Sequence, residues 1–150
     1  MWRYCADPQP LGCEFTVFYQ PDHNGGGPVM IEHTFSKEDF LTEHSDCKSV
    51  LEVCSGPGFI GWYLYHKLKL DFVNFLDIHA PVEEDIHKTA EYNNIPESNY
   101  NFFLSDGFKN YTGEKVDLIV MNPPFYYTPA QFDQHMRYLG IPEHRREHDA

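Results

Sequence analysis

Asn122-Pro123-Pro124-Phe125 carries the most specific chemistry in the chain. An exocyclic amine or carboxamide nitrogen is planar, because its lone pair is delocalised, and it is a poor nucleophile. To attack an electrophilic carbon it must move toward sp³ geometry. Two acceptors aimed at its two N–H bonds favour that change, and the Asn122 side-chain oxygen and the Pro123 carbonyl can supply them. Adjacent prolines stiffen the position of that carbonyl. Phe125 can stack on a flat target group. Asn122, Pro123 and Phe125 are therefore the candidate catalytic set, with no strong base required: rate would come from positioning and electrostatics. Taken alone, the same residues also fit a strand that ends in a Pro-Pro stop.

A second constellation lies upstream. Glu52 sits in a short apolar run and is followed by Gly56-x-Gly58-x-x-Gly61 and an apolar helical run. Strand, glycine turn and helix in that order expose main-chain N–H groups to a ligand at a helix N-terminus. The pattern fits a dinucleotide site, an S-adenosylmethionine site or a tight turn in an α/β sheet. A carboxylate inside a strand is costly unless paired. A cationic ligand would explain Glu52 better than a diphosphate. Asp77 follows Gly58 at the spacing of an acid that accepts from both hydroxyls of a ribose; it could also cap the next helix. Asp106 precedes Gly107 in a dipeptide that is also a common turn.

These residues need a scaffold, and the hydrophobic pattern supplies one. Strands are expected at 50–53, 72–76, 102–104 and 116–121, with helices at 59–68 and 82–92 between the first three. Strands alternating with helices imply an α/β, Rossmann-like, mostly parallel sheet with helices on both faces. Glu52 with its glycine turn, Asp77, Asp106 and Asn122 all fall at strand carboxyl ends, where such sheets bind ligands. A helix is expected from Pro129 to Leu139, started by Thr128 and stopped by Gly140. Ahead of the sheet, residues 1–14 read as irregular. Two β-rich runs, 15–19 and 29–35, read as a hairpin around the glycine-rich tip 21–28. Ser36 reads as the N-cap of a short helix to about His44. Domain organisation is expected as an N-terminal hairpin and short helix at 1–45, then a cofactor-binding unit at 46–150.

Together the two constellations resemble the class I S-adenosylmethionine-dependent methyltransferases, in the branch that methylates planar nitrogens, over residues 48–127. The resemblance implies S-adenosylmethionine as cofactor, held by Glu52, Gly56, Gly58, Asp77, Asp106 and Asn122, with Asp106 at the adenine amine. It implies a planar amide or amine nitrogen as acceptor, as in protein-glutamine and in DNA or RNA adenine-amine methyltransferases. One departure stands out: Cys54 occupies a position where the family usually has glycine. The family fold has seven strands, and the chain supplies four. The fourth is then expected as a sheet edge, completed by a further C-terminal segment or a second chain.

The chain carries a net charge of −12, which repels nucleic-acid backbones unless basic residues cluster on one face. Arg145-Arg146 is the densest basic pair, so the charge tilts the acceptor toward a protein glutamine over nucleic acid. Substrate choice is expected in the hairpin at 15–35. Cys5, Cys13, Cys47 and Cys54 show no C-x-x-C spacing and read as free thiols in a reducing cytoplasm. No apolar run reaches the ~18 residues of a membrane span. His144 and His148 lack a third ligand, so no metal site is expected. Two other readings stay open: a nicotinamide-dependent oxidoreductase using the glycine turn, and an inactive truncated interaction module.

Overall fold

In the computed structural model, which describes residues 1–123 and 129–138, the sheet forms as the pattern implies. β5 (Ser49–Val53), β6 (Phe72–Asp77), β7 (Tyr100–Leu104) and β8 (Leu118–Met121) are parallel and lie in the order β7-β6-β5-β8. Order reverses between β5 and β8, so a crevice opens at their carboxyl ends. α3 (Phe59–Leu68) and α4 (Val82–Tyr92) connect the strands with the expected boundaries. α5 (Pro129–Tyr138) follows β8. Its expected cap and stop, Thr128 and Gly140, lie outside the described residues, as do His144, Arg145, Arg146 and His148.

The two faces of the sheet differ. Register aligns Val50, Val73 and Tyr100, then Glu52, Phe75 and Val120, on one face. That face packs with Trp62, Leu64, Ile86 and Ala90 of α3 and α4 into the main core. The opposite face holds a smaller cluster of Leu51, Val53 and Leu76, covered by Phe103, Tyr111 and Val116. β8 ends the sheet order, as expected, and Ile119 and Met121 are exposed on it.

The N-terminal segment departs from its sequence reading. Residues 1–14 are ordered: β1 (Trp2–Cys5) pairs antiparallel with β4 (Thr16–Tyr19), and β2 (Pro8–Gln9) pairs with β3 (Gly12–Cys13). The expected hairpin partner at 29–35 is helical, with α1 (Gly27–Met30) running into a π-helical turn at Ile31–Phe35. Its apolar residues have a helical use: Ile31 and Phe35, four apart, are buried in the main core. Ser36 closes this turn, its N–H donating to the Ile31 carbonyl (2.8 Å), rather than capping α2 (Glu38–Glu43). Cys5 and Cys13 form a disulfide, correcting the expectation of four free thiols. The β2–β3 hairpin folds the chain back between them and leaves their Cα atoms 5.9 Å apart, within bridging range.

Candidate functional site

A cavity of about 270 Å³ opens at the carboxyl ends of the strands, close to the lower size bound of small-molecule sites, roughly 300 Å³. Glu52, Gly56, Asp77, Asp106 and Asn122 all line it, so five residues chosen from sequence converge on one pocket. Gly58 does not line it: it precedes α3 at φ 84°, and a Cβ there would stand 2.7 Å from the Phe75 ring. Its use is close packing behind the turn. Pro123 is exposed and absent from the lining. Phe125 lies outside the described residues.

The turn after β5 is held by carboxylates. Asp77 Oδ2 accepts from the Gly56 N–H (2.7 Å), and Oδ1 accepts from the His79 N–H (2.8 Å). One side chain thus ties the glycine turn to the start of the β6–α4 loop. Glu52 is buried, and its Oε1 accepts from the Gly61 N–H in the first turn of α3 (2.7 Å). Burial pushes its carboxyl up to about 8, with the nearby Asp77 charge adding to the rise and the Gly61 and Ile60 N–H groups opposing it. A carboxylate so placed gains from a cation beside it. Cys54 adopts φ 57°, so the turn keeps the left-handed geometry that glycine usually supplies. Its thiol is exposed to the pocket yet pushed up to about 11 by desolvation and by the Asp77 and Glu52 charges. Asp106 lines the pocket and opens a turn in which Gly107 takes φ 60°.

Asn122 reaches the pocket from the end of β8. Its Nδ2 donates to the Gly25 carbonyl (3.2 Å), which orients the amide and leaves Oδ1 to accept. That contact exposes what sequence reading missed. The glycine-rich stretch, read as a hairpin tip, is the roof of the pocket: Asp22, His23, Asn24, Gly25 and Gly27 line it. His135 and Met136 of α5 also line it, and burial pulls the His135 imidazole below its ordinary value, against the Asp77 charge. Gly25-Gly26-Gly27 was the available signal; its partner, Asn122, is 97 residues away.

Within this lining the donor set suits a zwitterionic nucleoside ligand. Carboxylates stand for a ribose diol and a cation, and the turn's backbone for close approach. Four carboxylates (Asp22, Glu52, Asp77, Asp106) and no Lys or Arg line the pocket among the described residues, which disfavours a diphosphate.

A family model described as methyltransferase small domain matches residues 24–138. The ribosomal RNA small subunit methyltransferase C of Actinobacillus pleuropneumoniae is 33% identical over 110 residues, covering 73% of this chain and 30% of the relative. The protein of the same name from Haemophilus influenzae is 36% identical over 77 residues, covering 51% of this chain and 22% of its own length. The chain thus spans less than a third of these curated relatives. Among solved structures, a Pyrococcus horikoshii protein described as a candidate RNA methyltransferase aligns with TM-score 0.49 and 16% identity, over 67% of this chain and 44% of that one. A dimethyladenosine transferase from Plasmodium falciparum aligns with TM-score 0.43 and 20% identity, over 81% and 37%.

Proposed function

This chain belongs to the methyltransferase small domain family, and from that premise we propose that it binds S-adenosylmethionine and directs methyl transfer to a planar nitrogen of RNA. The observation that carries the reading is the convergence of Glu52, Gly56, Asp77, Asp106 and Asn122 on one cavity. The cofactor, when bound, supplies a methyl group made electrophilic by a sulfonium. Glu52 faces its cationic end, Asp77 its ribose and Asp106 its adenine amine. Asn122 Oδ1, its amide anchored on the Gly25 carbonyl, and the Pro123 carbonyl accept the two N–H bonds of the acceptor and turn its lone pair toward the methyl carbon. Held by Glu52, Asp77 and Asp106, the cofactor would give its methyl to that nitrogen and leave as a neutral thioether, the surplus amine proton passing to solvent. Phe125, outside the described residues, is the sequence candidate for stacking on the acceptor base.

Charge alone pointed to a protein glutamine. The names of the curated relatives support RNA instead, and we adopt RNA. A basic surface for its backbone would then come from beyond the pocket, from another part of the protein or a partner chain. The oxidoreductase reading loses support from a lining that carries Asp22, Asp77 and Asp106 and no Lys or Arg among the described residues, which disfavours a dinucleotide diphosphate. No helix among the described residues is long and apolar enough to cross a membrane; a cytoplasmic setting is part of the same proposal by analogy with the relatives' names, and the Cys5–Cys13 disulfide counts against it.

The test is transfer of labelled methyl from S-adenosylmethionine to total RNA and to a glutamine-containing peptide. Label sensitive to ribonuclease, and lost in Asn122→Ala, supports the proposal. Label on the peptide alone restores the glutamine reading. Cofactor binding without any transfer supports the interaction module.

A further inference from the structure

His23, in the roof, is tied to a buried carboxylate. Its Nδ1 lies 2.7 Å from Oδ2 of Asp85, with side chains 8% and 0% exposed. Asp85 sits in α4 and also accepts from the Gln20 backbone N–H (3.2 Å) and from Gln20 Nε2 (2.8 Å). The carboxylate therefore fixes the ring from behind: it belongs to the scaffold and does not line the pocket, whereas His23 does. With Nδ1 committed, Nε2 is the imidazole's remaining polar atom, and a ring protonated on both nitrogens donates from it. The His23 carbonyl stands over the glycine turn, 3.7 Å from where a Cβ on Gly56 would lie. The His23 backbone is thus over the glycine turn.

The charge pattern of the cavity leaves one requirement unmet. An amino-acid end brings an ammonium and a carboxylate on the same carbon. Glu52 suits the first, but the second meets a lining with no Lys or Arg among the described residues. Imidazoles are the remaining side chains there that can carry positive charge: His23, His79 and His135. The backbone N–H of His79 bonds the Asp77 carboxylate, and its ring stands edge-on to that of His23, centroids 5.1 Å apart. His135 is held below its ordinary value by burial. His23 is backed by a buried carboxylate outside the pocket, and its backbone lies over the turn.

We propose that His23, oriented by Asp85, binds the carboxylate of the cofactor's amino-acid end through Nε2–H, making Asp85 a positioning residue. The inference rests on the S-adenosylmethionine reading above and adds the group that distinguishes the intact amino acid. A charge-assisted hydrogen bond of this kind corresponds to at least about a tenfold change in affinity.

The test is calorimetric titration of the chain with S-adenosylmethionine and with decarboxylated S-adenosylmethionine, which keeps the sulfonium, the amine and the nucleoside. The parent should prefer the intact cofactor. His23→Ala should weaken the intact cofactor by about tenfold or more and leave the decarboxylated one within about twofold, erasing the preference. Asp85→Asn should reduce the preference in the same direction and by less. Retained binding of the decarboxylated ligand shows that each variant keeps a folded pocket. Equal weakening of both ligands would make His23 a wall or a ribose contact and overturn the inference, as would an unchanged preference. Failure of the parent to bind either ligand would remove the cofactor reading itself, and this inference with it.

Discussion

The floor of the pocket is held by neighbours in the sequence, whereas its roof depends on partners far along the chain. On the floor, Glu52 bonds the Gly61 N–H nine residues on, and Asp77 bonds the His79 N–H two residues on. Over the roof, His23 and Gln20 depend on Asp85, 62 and 65 residues away, and Gly25 on Asn122, 97 residues away. A floor of that kind is fixed once the β5–α3–β6 unit folds. The roof is fixed only after α4 and β8 are docked, so it can set affinity and acceptor geometry with less effect on the fold. Changes in the floor should therefore move stability and binding together, and changes in the roof should move function more than stability.

The strongest way to break this contrast is Gly61→Ala. Its Cβ would meet the Phe75 ring at 2.6 Å, Glu52 Oε1 at 2.9 Å and Val73 at 3.1 Å, all on packed strands. The expected loss is about 2–3 kcal/mol or more, read as an early midpoint in urea unfolding, together with loss of cofactor binding.

Glu52→Gln sharpens the comparison by separating stability from binding. Burial raises the Glu52 carboxyl from 4.5 to about 8, so between those values the folded chain holds a proton that the unfolded chain has released. The parent must then lose stability as pH rises from about 4.5 to about 8, by up to about 1.4 kcal/mol per pH unit. Gln keeps the acceptor for the Gly61 N–H but cannot ionise. Thermal melts should show parent and variant nearly equal at pH 5 and the variant more stable at pH 8, while its affinity for S-adenosylmethionine collapses. A constant offset across that range would contradict the assignment.

In the roof, Asn122→Ala removes an acceptor and the bond to Gly25. Methyl transfer should fall by a hundredfold or more, on the scale of losing one oxyanion-type contact, ~10²–10³. Cofactor affinity should change by no more than about fivefold, since a net hydrogen bond between neutral groups is worth ~1 kcal/mol. Equal losses in binding and transfer would place Asn122 with the floor.

The smallest effect is expected at Cys54, whose φ of 57° is strained for a residue with a Cβ. Cys54→Gly should stabilise the ligand-free chain by about 1 kcal/mol or less, relief of left-handed strain being partly offset by glycine's entropy. Binding should be retained. Destabilisation there would mean that the thiol packs better than its exposure suggests.

The same contrast explains what the sequence made legible. Apolar runs, one enclosing Glu52 and two ending at Asp77 and Asn122, marked the strands because parallel strands, buried on both sides, read as continuous hydrophobic segments. The glycine turn marked itself, and Cys54 kept its geometry despite lacking glycine's freedom. Residues 29–35 were misread because Val29, Ile31 and Phe35 suit a strand as well as a helix. The deciding factor was a tertiary one: Ile31 and Phe35 pack in the main core with Phe59 and Tyr63 of α3. The Cys5–Cys13 pairing turned on a two-strand hairpin too short to leave a pattern. His23 gave no local sign at all, since its meaning lies in Asp85.

The most direct measurement is calorimetric titration of the 150-residue chain with S-adenosylmethionine, using NADH as the control. The account predicts micromolar binding of S-adenosylmethionine, lost in Asp77→Ala, retained in Asn122→Ala, and no binding of NADH. A folded chain that binds neither, or that prefers NADH, would contradict it.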